Sequence, residues 1–437
     1  MPKYQYSPLS DVQKNIRLLK ILPSVSDDAE IHVELFEYSL QNSRHSYEAL
    51  SYVWGEPHPA RSIYVDNEHF DVTPNLYSAL LQLRDHSLPR YIWIDAVCIN
   101  QQDYAEKATQ IQSMAKIYAN AKLVVVYLGE AADGSNEALE AIRAASVDPS
   151  KGCNQKDWQA VDKLLQRGWF DRVWATQVLQ EVAAARHIVV ICGHVEMDGY
   201  AICLGVENLK SAYARAEAHL GNRTVFTLMR EAIFRPKFDM NSGEGASLGI
   251  CSMGELTSMF NTHKATVLHD KVFALLGMAS GPDYNNLEEY GLLPDYRVPW
   301  EDLLRRLVRF ILGPEVRIET WPGEEKVEIF GECHILGRVS EATSNSSGSQ
   351  TVEVIYNKSL DWSETYNEHN GIWKLRASAN EVKKGDIVCF LGGSKRFTII
   401  RQKGLLFYII IIDAPSKMGI TSALVPRDIA LIWDWTN

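Results

Sequence analysis

Four short runs in this chain are too apolar and too rich in β-branched residues to stand at a surface: YEALSYVWG (47–55), YIWIDAVCI (91–99), LVVVYLG (123–129) and HIVVICG (187–193). Such runs read as strands covered on both faces, since a strand with one wet face alternates apolar and polar residues. The segments between them have helical period. PNLYSALLQLRD follows Thr73, a residue type suited to an N-cap, and opens with Pro74 at the first helical position. YAEKATQIQSMAKIYANA sets Ile111, Met114, Ile117 and Tyr118 at helical spacing. Further helices are predicted at 136–145, from Lys156, and over RVWATQVLQEVAAAR (172–186). Strands alternating with helices imply an α/β domain with an open, mainly parallel sheet covered on both faces. It is expected over about residues 40–195, with the preceding residues adding an outer strand and SIYVD pairing with FDVT around Asn67.

The period changes twice beyond that point. ENLKSAYARAEAHL, RTVFTLMREAIF, GELTSMFNTH, DKVFALLGMA and WEDLLRRLVRFIL are all helical in pattern, and FRPKFDMNSGEGASLG among them reads as a mobile loop. From Val316 onward short β segments take over, among them GIWKLRA, DIVCFLGG, RFTIIRQ and LLFYIIIID, with ATSNSSGSQ (342–350) as a hairpin tip. The expected organisation is an α/β domain with its lead-in at 1–198, a helical region packed on the sheet at 199–315, and a small antiparallel β domain, barrel or sheet, at 316–437. A length of 437 residues agrees with several domains, because single cores stop growing well below it.

Composition narrows the partners. A net charge of -11 and the lack of a basic run argue against nucleic acid, whose binding depends on concentrated Lys and Arg. The seven Cys residues (98, 153, 192, 203, 251, 333, 389) include no CxxC pair and suit buried thiols in a reducing compartment. MPKYQYSPLSD holds no signal peptide, and LLFYIIIID (405–413) is too short to span a bilayer as a helix, so a cytoplasmic protein without a membrane-spanning segment is expected. With no HExxH, GxGxxG or GxxxxGK[ST], neither a metal nor a bound prosthetic group is expected.

Open α/β sheets bind ligands beyond the C-terminal ends of their strands. Four places qualify: Ser51 to Gly55, Asp95 to Gln101, Gly129 with Glu130, and the helix start near Trp169 to Trp174. Asp95, placed within an apolar strand, either caps the following NQQD turn or orients a ribose or a water, because a buried carboxylate needs partners. Asn100 and Gln101 offer amides to a polar ligand, or serve the turn itself. Cys98 reads as a small buried hydrophobe ahead of a nucleophile paired with His187 or His194. Trp93 reads as core, whereas Trp54 and Trp174, at element ends, suit pocket walls as well as packing. Arg172 is a candidate phosphate ligand, or equally snorkels or pairs in the neighbourhood of Asp171. Glu181 is the candidate carboxylate for chemistry, with a solvated helix position as the alternative.

Taken together, YEALSYVWG, YIWIDAVCINQQDYAEKATQIQSMAKIYANAKLVVVYLG and WFDRVW with a following QE resemble the three blocks of the fungal heterokaryon-incompatibility (HET) domain. YQYSPLS and IRLLKI match the usual lead-in, and KATVLHDKVFALLGM is similar to the segment that follows the domain, with VLH where Asp-Pro-Arg is usual. GECHILG and KKGDIVCFLGG resemble pieces of the C-terminal β region of such proteins. The resemblance implies a role in non-self recognition and programmed cell death. It also implies a distant kinship with the Toll/interleukin-1 receptor (TIR) superfamily and its flavodoxin-like parallel sheet. Some members of that superfamily cleave NAD with a helical Glu near a Trp motif, and others only assemble. By that resemblance NAD would be a substrate and Trp174 and Glu181 match the region of interest, with Ser51, Trp54 and Asp95 on adjoining strand ends; with the residue reading, the candidate set is Glu181 and Asp95 as catalytic and Ser51, Trp54, Gly55, Asn100, Gln101, Arg172, Trp174 and Gln177 as ligand-binding. A non-catalytic, self-associating module and a metal-independent acid-base isomerase or cyclase of secondary metabolism are the alternative functions.

One departure bears on the site. Family members read Arg-x-Trp-x-x-Gln-Glu, yet here Val178 follows Gln177, and Gln180–Glu181 stand three residues further on. Three extra helical residues rotate the face by about 300° and advance it by roughly 4.5 Å. Glu181 is thus expected near the Trp174 face but farther along the helix.

Overall fold

The computed structural model describes residues 4–26, 28–41, 46–151, 154–172, 177–212, 248–262, 267–344, 349–356, 370–376, 378, 380–391, 397–414 and 427–436. The chain divides into two compact units, one holding the described residues up to 212 and the other those from Gly249 onward.

The first unit is built on a nine-stranded sheet. Its strands are β1 (Asn15–Ile21), β2 (His32–Ser39), β3 (Glu48–Tyr52), β4 (Arg61–Val65), β5 (Glu68–Val72), β6 (Arg90–Trp93), β7 (Leu123–Tyr127), β8 (Ile188–Cys192) and β9 (Val195–Asp198), in the order β5-β4-β2-β1-β6-β3-β7-β8-β9. The helices are α1 (Pro74–Leu83), α2 (Asp95–Cys98), α3 (Tyr104–Gln112), α4 (Met114–Asn120), α5 (Ser135–Val147), α6 (Gln155–Leu165), α7 (Gly168–Arg172), α8 (Gln177–Ala184) and α9 (Gly199–Ala212).

The β6-β3-β7-β8 core is parallel, as its continuous apolar runs predict. The sheet as a whole is mixed rather than mainly parallel, because β1 pairs antiparallel with both β2 and β6, β4 with β5, and β8 with β9. The lead-in does not add an outer strand. β1 is inserted beside β6, and its burial on both faces explains why NIRLLKI is so apolar. The hairpin at Asn67 is present, with positive φ at Asp66 and Asn67, the conformation that fits a two-residue turn to strand twist. Thr73 caps α1 by accepting from the Leu76 amide.

Two expected elements are shorter than their patterns suggest. The apolar run 91–99 stays extended only to Trp93 and then closes into the helical turn α2, so Asp95 does not lie within a strand. Hydrophobicity alone does not separate a buried strand from a buried turn. The long helix expected from Tyr104 breaks at Ser113 into α3 and α4. Gly205 allows α9 to approach α5 closely, since a Cβ there would lie 2.1 Å from the Ile142 carbonyl oxygen.

The second unit contains α10 (Met253–Phe260), α11 (Asp270–Leu276), α12 (Gly281–Asn286) and α13 (Trp300–Leu312), so these helices share a unit with the C-terminal strands. A capping box of Ser252 and Glu255 starts α10, and Leu303, Leu304, Leu307 and Val308 form the buried stripe of α13. Its strands are β10 (Arg317–Thr320), β11 (Lys326–Ser344), β12 (Gln350–Tyr356), β13 (Asn370–Leu375), β14 (Ile387–Leu391), β15 (Phe397–Lys403), β16 (Leu406–Ala414) and β17 (Arg427–Asp434). Neighbours follow β13-β12-β11-β14-β15-β16-β17, and a further β11–β17 pairing closes a barrel. All its pairings are antiparallel except β16 with β17. The 19-residue β11 is shared: its first half pairs with β10 and β17, its second with β12 and β14. The buried core of this sheet includes Val354, Trp373, Val388, Phe390, Phe397 and Ile399. Most of the expected mobile loop at 234–249, the helix RTVFTLMREAIF and the tip of the 342–350 hairpin lie outside the described residues.

Candidate functional site

The parallel strands direct their C-terminal ends to one edge, where several of the expected residues meet. Strand register puts Ala49 and Ser51 of β3 on the same face as Trp93 of β6 and as Val124 and Val126 of β7. Trp93 meets the Tyr118 ring of α4 edge-on at 5.4 Å. The Trp169 indole of α7 donates to the Ser51 hydroxyl at 2.9 Å, and both residues are buried. Ser51 thus anchors the start of α7 over the end of β3. On the same side α8 packs against α4, and Glu181 of α8 is only 4 % exposed. A solvated position for Glu181 is therefore overturned.

Asp95 and Trp54 form the second part of the site. The Trp54 indole donates to Asp95 Oδ2 at 3.0 Å, while Asp95 Oδ1 accepts from the Ala96 amide at 2.7 Å. Gln101 closes the turn by donating from Nε2 to the Asp95 carbonyl at 2.9 Å. Of the two positions read as ligand-binding there, Gln101 has structural employment in bracing α2, whereas Asn100 gives only its backbone N–H to Glu106, donating to Oε1 at 2.7 Å. Gly55 has φ +70°, and a Cβ there would come within 2.7 Å of Asn75 Nδ2. A residue without a side chain is required at that point.

The loops after β7 and β8 are organised by Arg167, which the sequence pattern did not single out. Its guanidinium donates to the carbonyls of Leu128, Glu130 and Ala132 at 3.1, 2.7 and 3.0 Å, and to Cys192 Sγ at 3.0 Å. Glu130 accepts from Ser78 at 2.8 Å. Cys98 is buried, accepts from the Ile94 amide at 3.3 Å, and burial pushes its thiol up to about 12. That environment makes it an inert thiol. His187, considered as its base, pairs instead with Asp198 at 3.5 Å.

A second missed group lies next to α2. Arg17 of β1 and Glu106 of α3 form a buried two-pronged pair at 2.5 and 2.9 Å. Arg17 also donates to the carbonyls of Cys98 and Ser7. Burial opposes its charge, yet the Glu106 carboxylate outweighs burial and holds the guanidinium above its ordinary value. The Tyr6 hydroxyl donates to the Val97 carbonyl, so the N-terminal segment is fastened to the same turn. Arg17 between Ile16 and Leu18, a charge at a buried position of a largely apolar strand, was the available signal.

Trp174 lies outside the described residues, and of Arg172 and Gln177 only the helical backbone is described. The three-residue register difference therefore falls across a segment without a description, with α8 resuming at Gln177. Among the described residues no group of His, Cys, Asp and Glu is arranged to hold a metal ion, and no helix is long and apolar enough to cross a membrane.

These features define an α/β domain with a parallel core, an indole-held carboxylate at its strand ends and an interior glutamate in the covering helices. Residues 47–181 match the family described as heterokaryon incompatibility protein (HET). Over 241 residues the chain is 28% identical to "Heterokaryon incompatibility protein 6, OR allele" of Neurospora crassa, which covers 44% of this chain and 35% of that protein. The matched region thus spans about a third of that curated relative. No solved structure matches.

Proposed function

We propose that the chain acts in fungal non-self recognition and the cell death that follows it, and that its HET domain cleaves the nicotinamide–ribose bond of NAD with Glu181 as the key carboxylate. The HET match of residues 47–181 supports the first part. The observation that carries the second is the buried Glu181 of α8, a helix that packs against α4, whose Tyr118 in turn meets Trp93. In the reaction the N-glycosidic electron pair passes to the pyridinium nitrogen, nicotinamide leaves neutral, and positive charge develops on the ribose. An ionised Glu181 stabilises that charge and water then adds to the anomeric carbon, releasing ADP-ribose and a proton. Asp95, oriented by Trp54, is the group that positions the ribose or the attacking water.

Incubating the full chain with NAD and measuring free nicotinamide tests this reading. Release by the native protein and at least a hundredfold less by Glu181→Gln is the expected result. Equal release by both, or none under conditions that promote assembly, overturns it. No release together with concentration-dependent association would instead mark a module that works by assembly.

A further inference from the structure

A cleft of about 250 Å³ lies between the N-terminal segment and the turn joining α2 to α3. Pro8 and Leu9 line it on one side and Asn100, Asp103 and Thr109 on the other, with the Arg17–Glu106 pair between these segments in the lining. Its chemistry follows from which hydrogen-bonding groups are already used. The terminal N–H groups of Arg17 go to both Glu106 oxygens and to the Cys98 and Ser7 carbonyls, and Glu106 Oε1 accepts also from Asn100. The ion pair therefore has little to offer an anion.

Three groups on the wall facing Pro8 and Leu9 keep capacity. Asp103 spends Oδ1 on the Ala105 and Glu106 amides at 3.0 and 3.1 Å, which leaves Oδ2 as an acceptor. Asn100 spends Oδ1 on the Gln102 amide, which leaves the two N–H donors of Nδ2. Thr109 donates to the Ala105 carbonyl and retains its acceptor lone pairs. A carboxylate acceptor beside an amide donor, with no uncommitted cation, disfavours phosphate and carboxylate ligands. A hydroxyl suits both groups, because it donates to Asp103 while accepting from Asn100. Adjacent ring hydroxyls satisfy the polar wall while their carbon skeleton lies against Pro8 and Leu9.

We infer that this cleft binds a neutral ring bearing vicinal hydroxyls, a monosaccharide or the ribose of a nucleoside, through Asp103, Asn100 and Thr109. The site is separate from Glu181, and the inference does not depend on NAD cleavage.

Calorimetric titration of the full chain with D-ribose, adenosine, AMP and inorganic phosphate tests it. Ribose and adenosine bind with Kd on the order of 1 mM, AMP binds about tenfold more weakly, and phosphate does not bind. Tighter binding of ribose identifies a free sugar as the ligand, and tighter binding of adenosine a nucleoside. Asp103→Asn keeps the α3 cap and weakens ribose about tenfold. Asn100→Ala does the same and serves as the second variant, while Glu181→Gln leaves ribose binding unchanged. Absence of saturable ribose binding, phosphate or AMP binding as tight as adenosine, or a loss produced by Glu181→Gln but not by Asp103→Asn and Asn100→Ala, overturns the inference.

Discussion

Replacing Arg17 by Met tests how the turn that carries Asp95 is held in place. Both members of the Arg17–Glu106 pair are almost fully buried, with side-chain exposures of 5% and 7%. Arg17→Met leaves the Glu106 carboxylate in the interior with the Asn100 amide as its remaining donor, and removes the donor to the Cys98 carbonyl. Breaking a buried pair from one side costs about 3–5 kcal/mol, and an unmet carbonyl adds to that, so a loss of about 4 kcal/mol is expected. Glu106→Met strands the guanidinium and costs a similar amount. The double variant removes both charges, so its loss falls well short of the sum, with a coupling of about 3 kcal/mol. Cys98 supplies the assay, since its buried thiol becomes reactive when this unit opens: urea-dependent alkylation of the Cys98 peptide reads the stability locally. Single losses below about 1 kcal/mol, or losses that add within about 0.5 kcal/mol, would refute the reasoning.

Cys98 also sets a pH dependence. Its thiol is pushed up to about 12 by burial, whereas in the unfolded chain it ionises near about 8.5. The unfolded state therefore loses its proton first, and the contribution is complete below about pH 8.5 and falls as pH rises toward 12, by up to about 1.4 kcal/mol per unit. Cys98→Ala removes this part of the slope; parallel urea midpoints for the two proteins at about pH 8 and about pH 10 would contradict it. Arg167→Lys replaces a fork by a single ammonium, so at least one of the Leu128, Glu130 and Ala132 carbonyls loses its donor. Hydrogen exchange across 128–134 should quicken about tenfold, for a local loss of about 1.4 kcal/mol, and unchanged exchange would count against it. Gly205→Ala would ordinarily help a helix by about 1 kcal/mol, but the close Ile142 carbonyl reverses the sign to a loss of about 2 kcal/mol. A raised urea midpoint would show that α5 and α9 yield more readily than their spacing implies.

Periodicity carried the parallel core well. β3, β7 and β8 coincide with their apolar runs because strands covered on both faces have no other composition available. It failed at Asp95, where an apolar run continued through a helical turn, and at Ser113, where a break in the helix leaves no trace in the spacing. The sheet's mixed character was hidden for another reason. Antiparallel β1 is as buried as a central parallel strand, and strand direction does not show in composition. For the site, Asp95, Trp54, Ser51 and Glu181 were legible as polar or indole groups out of keeping with their surroundings. Arg167 was not, and Arg17 showed only as a charge in a largely apolar strand, because the work of both depends on carbonyls from segments far away in the chain.

The sharing of β11 among four neighbours has a kinetic consequence. Closing the barrel joins Lys326 to Asp434, so the last ladder spans about a hundred residues and must wait for the chain between them to be gathered. Because β10, β12, β14 and β17 each pair with this one strand, the ladders that form without it, such as β12–β13 and β15–β16, stay separate until it docks, and refolding should be slow and single-exponential, with β11 side chains such as Val339 giving the largest φ-values.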